Sequence, residues 1–233
     1  MMHKTKILLG AAATVLATAV ALSGIASASS GGGKALTGTL DLSAGKLVQQ
    51  HGRAVYTGTY FRMLLPGKTD EYFSNPQSRA KDKTYTLLRP GSQGGLELGK
   101  YQPAPSPAFA SNGFALAQRI TKPETFAGIH FSISTAAKDA QSGAQDSAPT
   151  LVLHGNKLTG NFEAWTAEWN KIYFNQGAPK PNKAQPYPGL TQPVTGTYDA
   201  KTGAFTLTWY SAIVGGPFNG FTGYWHLEGR LKK

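Results

Sequence analysis

The last stretch of the chain leaves little choice of conformation. In FTLTWYSAIVGGPFNGFTGYWHLEGRL (205–231), Phe205, Leu207, Trp209, Ser211 and Ile213 recur at every second position, as do Trp225, Leu227, Gly229 and Leu231. Period-two alternation rich in aromatic and β-branched residues is the pattern of a half-buried strand. The linker GGPFNGFTG (215–223) holds four glycines, a proline and an Asn-Gly step, so the chain must turn there. An antiparallel pair is the expectation.

Further strand-like segments precede it: Leu36–Leu42, Ala54–Leu65, Thr84–Arg89, Gly95–Tyr101, Gly113–Ile120, Phe126–Ile133, Thr150–His154, Leu158–Trp169, Ile172–Phe174 and Val194–Asp199. Turn signals such as Pro90-Gly91, Gly155-Asn156, Asn170-Lys171 and Asp199–Gly203 separate nearly all of them. No segment carries a 3.6-residue apolar stripe, so the expected fold is all-β: one antiparallel domain over 35–233, a β-sandwich or a flattened or closed β-barrel. Residues 66–83, 135–149 and the proline-rich 176–193 read as loops. An apolar-Thr-Gly-x-apolar string recurs at Leu36–Leu40, Tyr56–Tyr60, Leu158–Phe162, Val194–Tyr198 and Phe221–Trp225. The intervals are unequal, which excludes a tandem array; a glycine inside a strand permits a bulge or a close neighbouring backbone.

The N-terminus reads as an export signal over residues 1–28. Lys4 and Lys6 precede an apolar run from Ile7 to Ile25, and Ala26-Ser27-Ala28 supplies a small-x-small cleavage pattern. Ile25 stands where a lipoprotein box would need Cys, so no lipid anchor is expected, and SSGGGK (29–34) reads as a flexible lead. The chain has no cysteine, which removes disulfides, thiolate metal sites and a Cys nucleophile. Twenty-three Lys and Arg against 12 Asp and Glu give a formal +11, which favours anionic partners. Glycans or anionic cell-wall polymers suit a secreted or wall-associated protein, whereas the export signal disfavours nucleic acid and stable membrane insertion is not expected after its removal.

The segments LTGNFEAWTAEWNKIYFNQG (158–177) and TGTYDAKTGAFTLTWYSAIVGGPFNGFTGYWHLEG (195–229) resemble stretches of uncharacterised exported bacterial all-β proteins that carry IVGGPFNG and WHLEG strings. The resemblance implies a shared export-associated β domain and no catalytic residue.

Candidate chemistry is confined to a few places. Tyr224, His226, Glu228 and Arg230 share one face of the last strand, opposite Trp225, Leu227 and Leu231. They form either a groove or a solvated row produced by ordinary polar-out alternation. Glu163, Trp165, Ala167 and Trp169 alternate against Phe162, Ala164, Thr166 and Glu168. Tryptophans beside carboxylates suit a sugar ring, although aromatic residues also dominate β cores. With Trp165 and Trp169 inside, Glu168 is expected outside. The leading expectation is a non-enzymatic binding module contacting ligand through Trp165, Trp169, Phe218, Asn219, Phe221, Tyr224, His226 and Arg230. A second is a carbohydrate-active hydrolase pairing Glu163 or Glu168 with Glu228, assisted by His226; a third is a structural surface protein. No metal or cofactor is expected: the histidines are scattered without H-E-x-x-H, and DAQSGAQD (139–146) lacks calcium-loop spacing. There is also no G-x-S-x-G elbow and no phosphate-binding glycine loop opening a helix.

Overall fold

The computed structural model of the chain describes residues 32–181 and 189–233. The signal-peptide reading and the middle of the proline-rich loop lie outside these residues. Sixteen strands are found among the described residues: β1 (Lys34–Leu36), β2 (Thr39–Leu42), β3 (Lys46–Gln50), β4 (Arg53–Thr57), β5 (Tyr60–Leu64), β6 (Thr86–Leu87), β7 (Gly95–Glu97), β8 (Glu124–Phe126), β9 (Ile129–Thr135), β10 (Thr150–His154), β11 (Lys157–Asn161), β12 (Trp165–Trp169), β13 (Ile172–Asn175), β14 (Gln192–Tyr198), β15 (Ala204–Ala212) and β16 (Thr222–Lys232). The all-β expectation holds, with one short 3-10 turn at Gly216–Phe218.

The large antiparallel sheet runs β1-β10-β11-β14-β15-β16-β2-β7 and curls. Its backbone is the pair anticipated from alternation: β15 and β16 are in register from Ala204↔Arg230 to Ala212↔Thr222. β16 is long enough to serve two partners on its other edge, β5 along Thr222–His226 and β2 along Gly229–Lys232. A second sheet, β13-β12-β9-β8, faces it, and β3-β4 form a separate hairpin. Trp209 and Trp225 stack between neighbouring strands with centroids 6.0 Å apart. Trp165 of the smaller sheet meets both edge-on at 5.4 and 5.5 Å. These tryptophans are fully buried and centre one continuous apolar core.

Several expected segments are divided. Leu158–Trp169 is two strands in different sheets, because Phe162-Glu163-Ala164 turns a corner held by Phe162 N–H on the Ala178 carbonyl at 2.9 Å. Leu36–Leu42 breaks at Gly38 and Ala54–Leu65 at Gly58. At Gly58 the backbone is left-handed (φ +74°) and a Cβ would sit 2.2 Å from the Ala44 carbonyl oxygen. Gly196, inside β14, shows the other use of the Thr-Gly string: a Cβ there would lie 1.8 Å from the Thr206 carbonyl oxygen. Asn170 and Lys171 both adopt positive φ, the geometry of a two-residue hairpin turn between β12 and β13. Gly113–Ile120 forms no strand; it contributes isolated bridging contacts such as Phe109↔Ala115. Lys34, assigned by sequence to a flexible lead, pairs with Leu153.

Candidate functional site

The face of β16 that turns away from the tryptophan core carries the best-formed constellation. Cross-strand register aligns Tyr210, Tyr224 and Arg62 in one row across β15, β16 and β5, and Thr208, His226 and Tyr60 in the next. Tyr210 and Tyr224 have ring centroids 4.9 Å apart. The Arg62 guanidinium lies 3.3 Å from the centroid of Tyr72 and 4.2 Å from that of Tyr85, which itself stacks on Tyr56 at 4.0 Å. Aromatic faces attract a guanidinium through their quadrupoles and hold it flat. Arg62 Nη2 donates to Thr84 Oγ1 at 3.0 Å, Nε lacks a partner, and no carboxylate pairs with it among the described residues. Tyr56, Arg62, Tyr72, Tyr85, Tyr210 and Tyr224 are all half-buried, with Tyr60 buried beneath them. Burial raises the phenols of Tyr60, Tyr72 and Tyr224, with the Arg62 guanidinium opposing it in each case. The tyrosines therefore stay protonated and can both donate and accept hydrogen bonds.

The segment bringing Tyr72 and Tyr85 is pinned in place. Phe73 N–H donates to the Met63 carbonyl at 2.7 Å, and Arg79 and Arg89 converge on the buried Glu124 at 2.9 and 2.7 Å. A charged loop in sequence is thus a fixed wall of the face.

His226 and Glu228 are adjacent here. His226 Nε2 lies 2.8 Å from Glu228 Oε1, and the imidazole stacks on Tyr60 at 4.5 Å. Glu228 Oε2 accepts the Gly58 N–H at 2.6 Å. With both oxygens engaged, the carboxylate fastens the Thr-Gly turn to the sheet. Arg230 is exposed at the far end of β16, its Nη1 3.3 Å from the Thr202 carbonyl oxygen, about 20 Å along the strand from Tyr224.

The other sequence candidates disperse. Trp165 has no exposed surface and Trp169 is buried, its Nε1 donating to the Phe126 carbonyl at 2.7 Å. Their expected role as ligand platforms is corrected: β12 is the centre of the smaller sheet's core face. Phe218 and Phe221 turn inward against Phe73, and Phe218 also meets Phe126 and Trp169. The GGPFNGFTG loop thus closes one end of the core, while exposed Asn219 accepts the Gly215 N–H at 2.8 Å. The apolar cavity behind this plug, bounded by Phe61, Trp169, Phe174, Phe218 and Trp225, is only about 40 Å³, far smaller than a benzene-sized cavity.

Glu168, expected outside, is completely buried on the outer face of the smaller sheet, between Ser132 and Tyr173 in register. Ser134 Oγ donates to its Oε1, while Oε2 and Ser132 Oγ have no partner among the described residues. Burial pushes this carboxyl up to about 8, with the Ser134 hydrogen bond opposing. Glu168 and Glu228 point away from the tryptophan core in opposite directions, since their strand neighbours Ala167, Trp169, Trp225 and Leu227 all face it. Glu163 lies at the corner after β11, its Oε2 accepting the Ser147 N–H at 3.0 Å. The paired-carboxylate arrangement with Glu228 is overturned for Glu168, because the core fills the space a cleft would need.

Sequence reading missed Tyr60, Arg62 and Tyr210, although period-two alternation puts Tyr60 and Arg62 on one face of β5 and turns Tyr210 away from the Trp209 face of β15. Tyr72 and Tyr85 carried no such signal. Among the described residues no group of His, Asp or Glu could hold a metal ion, and no helix is long and apolar enough to cross a membrane. No family model, curated protein or solved structure matches the chain.

Proposed function

We propose that the protein is an exported, non-enzymatic binding module that takes glycans or anionic wall polymers on its tyrosine face. The observation that carries this reading is the row Tyr210–Tyr224–Arg62: flat rings beside a guanidinium to which no protein carboxylate is paired among the described residues. Rings of this kind offer apolar contact to a pyranose, phenols satisfy its hydroxyls, and Arg62 suits a carboxylate, phosphate or sulfate substituent. The N-terminal Lys4/Lys6, apolar run and Ala26-Ser27-Ala28 pattern supports export, and the formal +9 left when residues 1–28 and their two lysines are removed (21 basic against 12 acidic) supports attraction to an anionic matrix.

The test is retention of the purified protein by insoluble polysaccharides and purified cell wall, at low and high salt, beside Tyr224→Ala and Arg62→Ala. Salt-resistant retention on one glycan, weakened about tenfold by Tyr224→Ala, is the expected result. Retention abolished by salt and untouched by Tyr224→Ala reduces the interaction to charge attraction. No retention by any matrix overturns the reading.

A further inference from the structure

Away from the tyrosine face, the exit from β13 brings an amine, a carboxamide and a carboxylic acid together out of solvent. Lys180, Asn175 and Asp146 are 4%, 2% and 1% exposed. Lys180 Nζ donates to the Asn175 main-chain oxygen at 2.6 Å and lies 3.4 Å from Asn175 Oδ1. Asn175 Oδ1 also accepts the Gly177 N–H at 3.0 Å. Asn175 Nδ2 donates to the Glu163 carbonyl at 2.7 Å and to Asp146 Oδ2 at 3.3 Å. Asp146 Oδ1 is buried and has no partner among the described residues.

The surroundings disfavour charge on both reacting groups. Burial lowers the Lys180 amine to about 7 against the opposing pull of Asp139 and Asp146. Burial likewise raises Asp146 to about 7, with Asp139 and Glu163 adding to the effect and Asn175 and Lys180 opposing it. Burial thus favours the uncharged amine and the protonated acid over their charged forms, a combination rare in solvent. An uncharged lysine is a nucleophile, and a protonated acid beside a carboxamide nitrogen is positioned to give that nitrogen a proton.

We propose that Lys180 and Asn175 become joined by an isopeptide bond after folding, with Asp146 as the proton relay. The Nζ lone pair attacks Asn175 Cγ, and the new C–N bond forms while charge develops on Oδ1. The Gly177 N–H already on that oxygen stabilises the charge. Asp146 protonates Nδ2, the Cγ–Nδ2 bond breaks and ammonia leaves. The proton lost from Nζ restores Asp146, so the relay ends as it began and no oxidant or cofactor is consumed. The two residues are only five apart in sequence. Closing so short a loop constrains the unfolded chain little, so the bond serves to lock the β13 exit and to eliminate a buried ionisable amine.

Peptide mass spectrometry of the purified protein decides this. Trypsin does not cut between Lys180 and Pro181, so both residues fall in one peptide, 172–183. The expected result is a peptide about 17 Da lighter than its sequence, the mass of ammonia, with no fragment ions from backbone cleavage between Asn175 and Lys180. An unaltered mass overturns the proposal. So does the same loss with a complete fragment ladder, which marks a succinimide at Asn175 alone. Lys180→Arg is expected to restore the full mass, and Asp146→Asn to restore it in a protein with native near-ultraviolet dichroism. A cross-linked peptide from folded Asp146→Asn would overturn the relay assigned to Asp146. The wild-type peptide decides the bond itself even where a variant fails to fold.

Discussion

Trp209 Nε1 donates to the main-chain oxygen of Gln176 at 2.9 Å, a hydrogen bond from the centre of the large sheet to the chain leaving the small one. The Gln176 side chain extends the clasp: its Oε1 accepts Trp225 Nε1 at 3.3 Å, and its Nε2 donates to the Asn175 carbonyl at 3.0 Å. Two of the three tryptophans that centre the core are thus tied to one residue. Gln176→Leu is expected to strand the Trp225 N–H in an apolar interior and cost about 1–3 kcal/mol. Gln176→Glu is expected to cost more, because it would bury a charge. Midpoints of urea unfolding at unchanged slope check both.

The recurring Thr-Gly string has a steric explanation that a substitution can test. At Gly196 a Cβ would overlap the Thr206 carbonyl oxygen on the neighbouring strand, so Gly196→Ala must push β14 away from β15. A loss of several kcal/mol is expected, beyond the usual range for a surface change. Gly155→Ala is the comparison: its turn has open space around the missing Cβ but a positive φ of 62°. Its cost should be confined to backbone strain of about 1 kcal/mol. Thermal denaturation of the two variants side by side separates the two effects.

Glu168 gives stability a definite pH dependence. Burial holds its folded pKa at about 8, well above the ordinary carboxylate value of about 4.3. Between these limits the folded state holds a proton that the unfolded state has lost, so this group makes stability fall as pH rises, by up to about 1.4 kcal/mol per pH unit. Its contribution is flat below the lower limit and flat again above the upper one. Glu168→Gln is expected to remove that slope, leaving the variant relatively more stable at pH 8 than at pH 5. Equal shifts in unfolding free energy at both values would contradict the assignment.

The sequence displayed the fold better than the site, and the reason is physical. Alternation in Phe205–Ile213 and Trp225–Leu231 reports which side of a strand is buried, and that is a property of the strand alone. Asn170-Lys171 announced its hairpin because a two-residue turn is decided locally. By contrast, β3 is mostly exposed on both faces, so it carries little alternation to read. The Trp165 strand looked like a platform because a core-facing row and a ligand-facing row share one pattern; only the opposing Trp209 and Trp225 distinguish them. The tyrosine face depends on register between β15, β16 and β5, and on Tyr72 and Tyr85 arriving from elsewhere in the chain. No window of sequence contains that juxtaposition.

Two tryptophans and two tyrosines therefore make opposite predictions under substitution. Trp165→Ala empties the middle of the core, where its ring meets Phe162, Trp209 and Trp225, and is expected to cost about 3–5 kcal/mol of stability. Trp169→Ala is expected to cost a similar amount, since it enlarges the small cavity behind Phe218 and leaves the Phe126 carbonyl without its donor. Neither should alter retention by a glycan matrix at temperatures where the variant remains folded. Tyr210→Ala and Tyr224→Ala sit on half-buried positions and should lower the unfolding midpoint only modestly while weakening retention about tenfold each. Calorimetry and matrix retention measured on the same four proteins check the division. Loss of retention by folded Trp165→Ala, with Tyr224→Ala unaffected, would move the contact surface off the outer face of β16, because a ligand would then be sensing the core rather than the tyrosines.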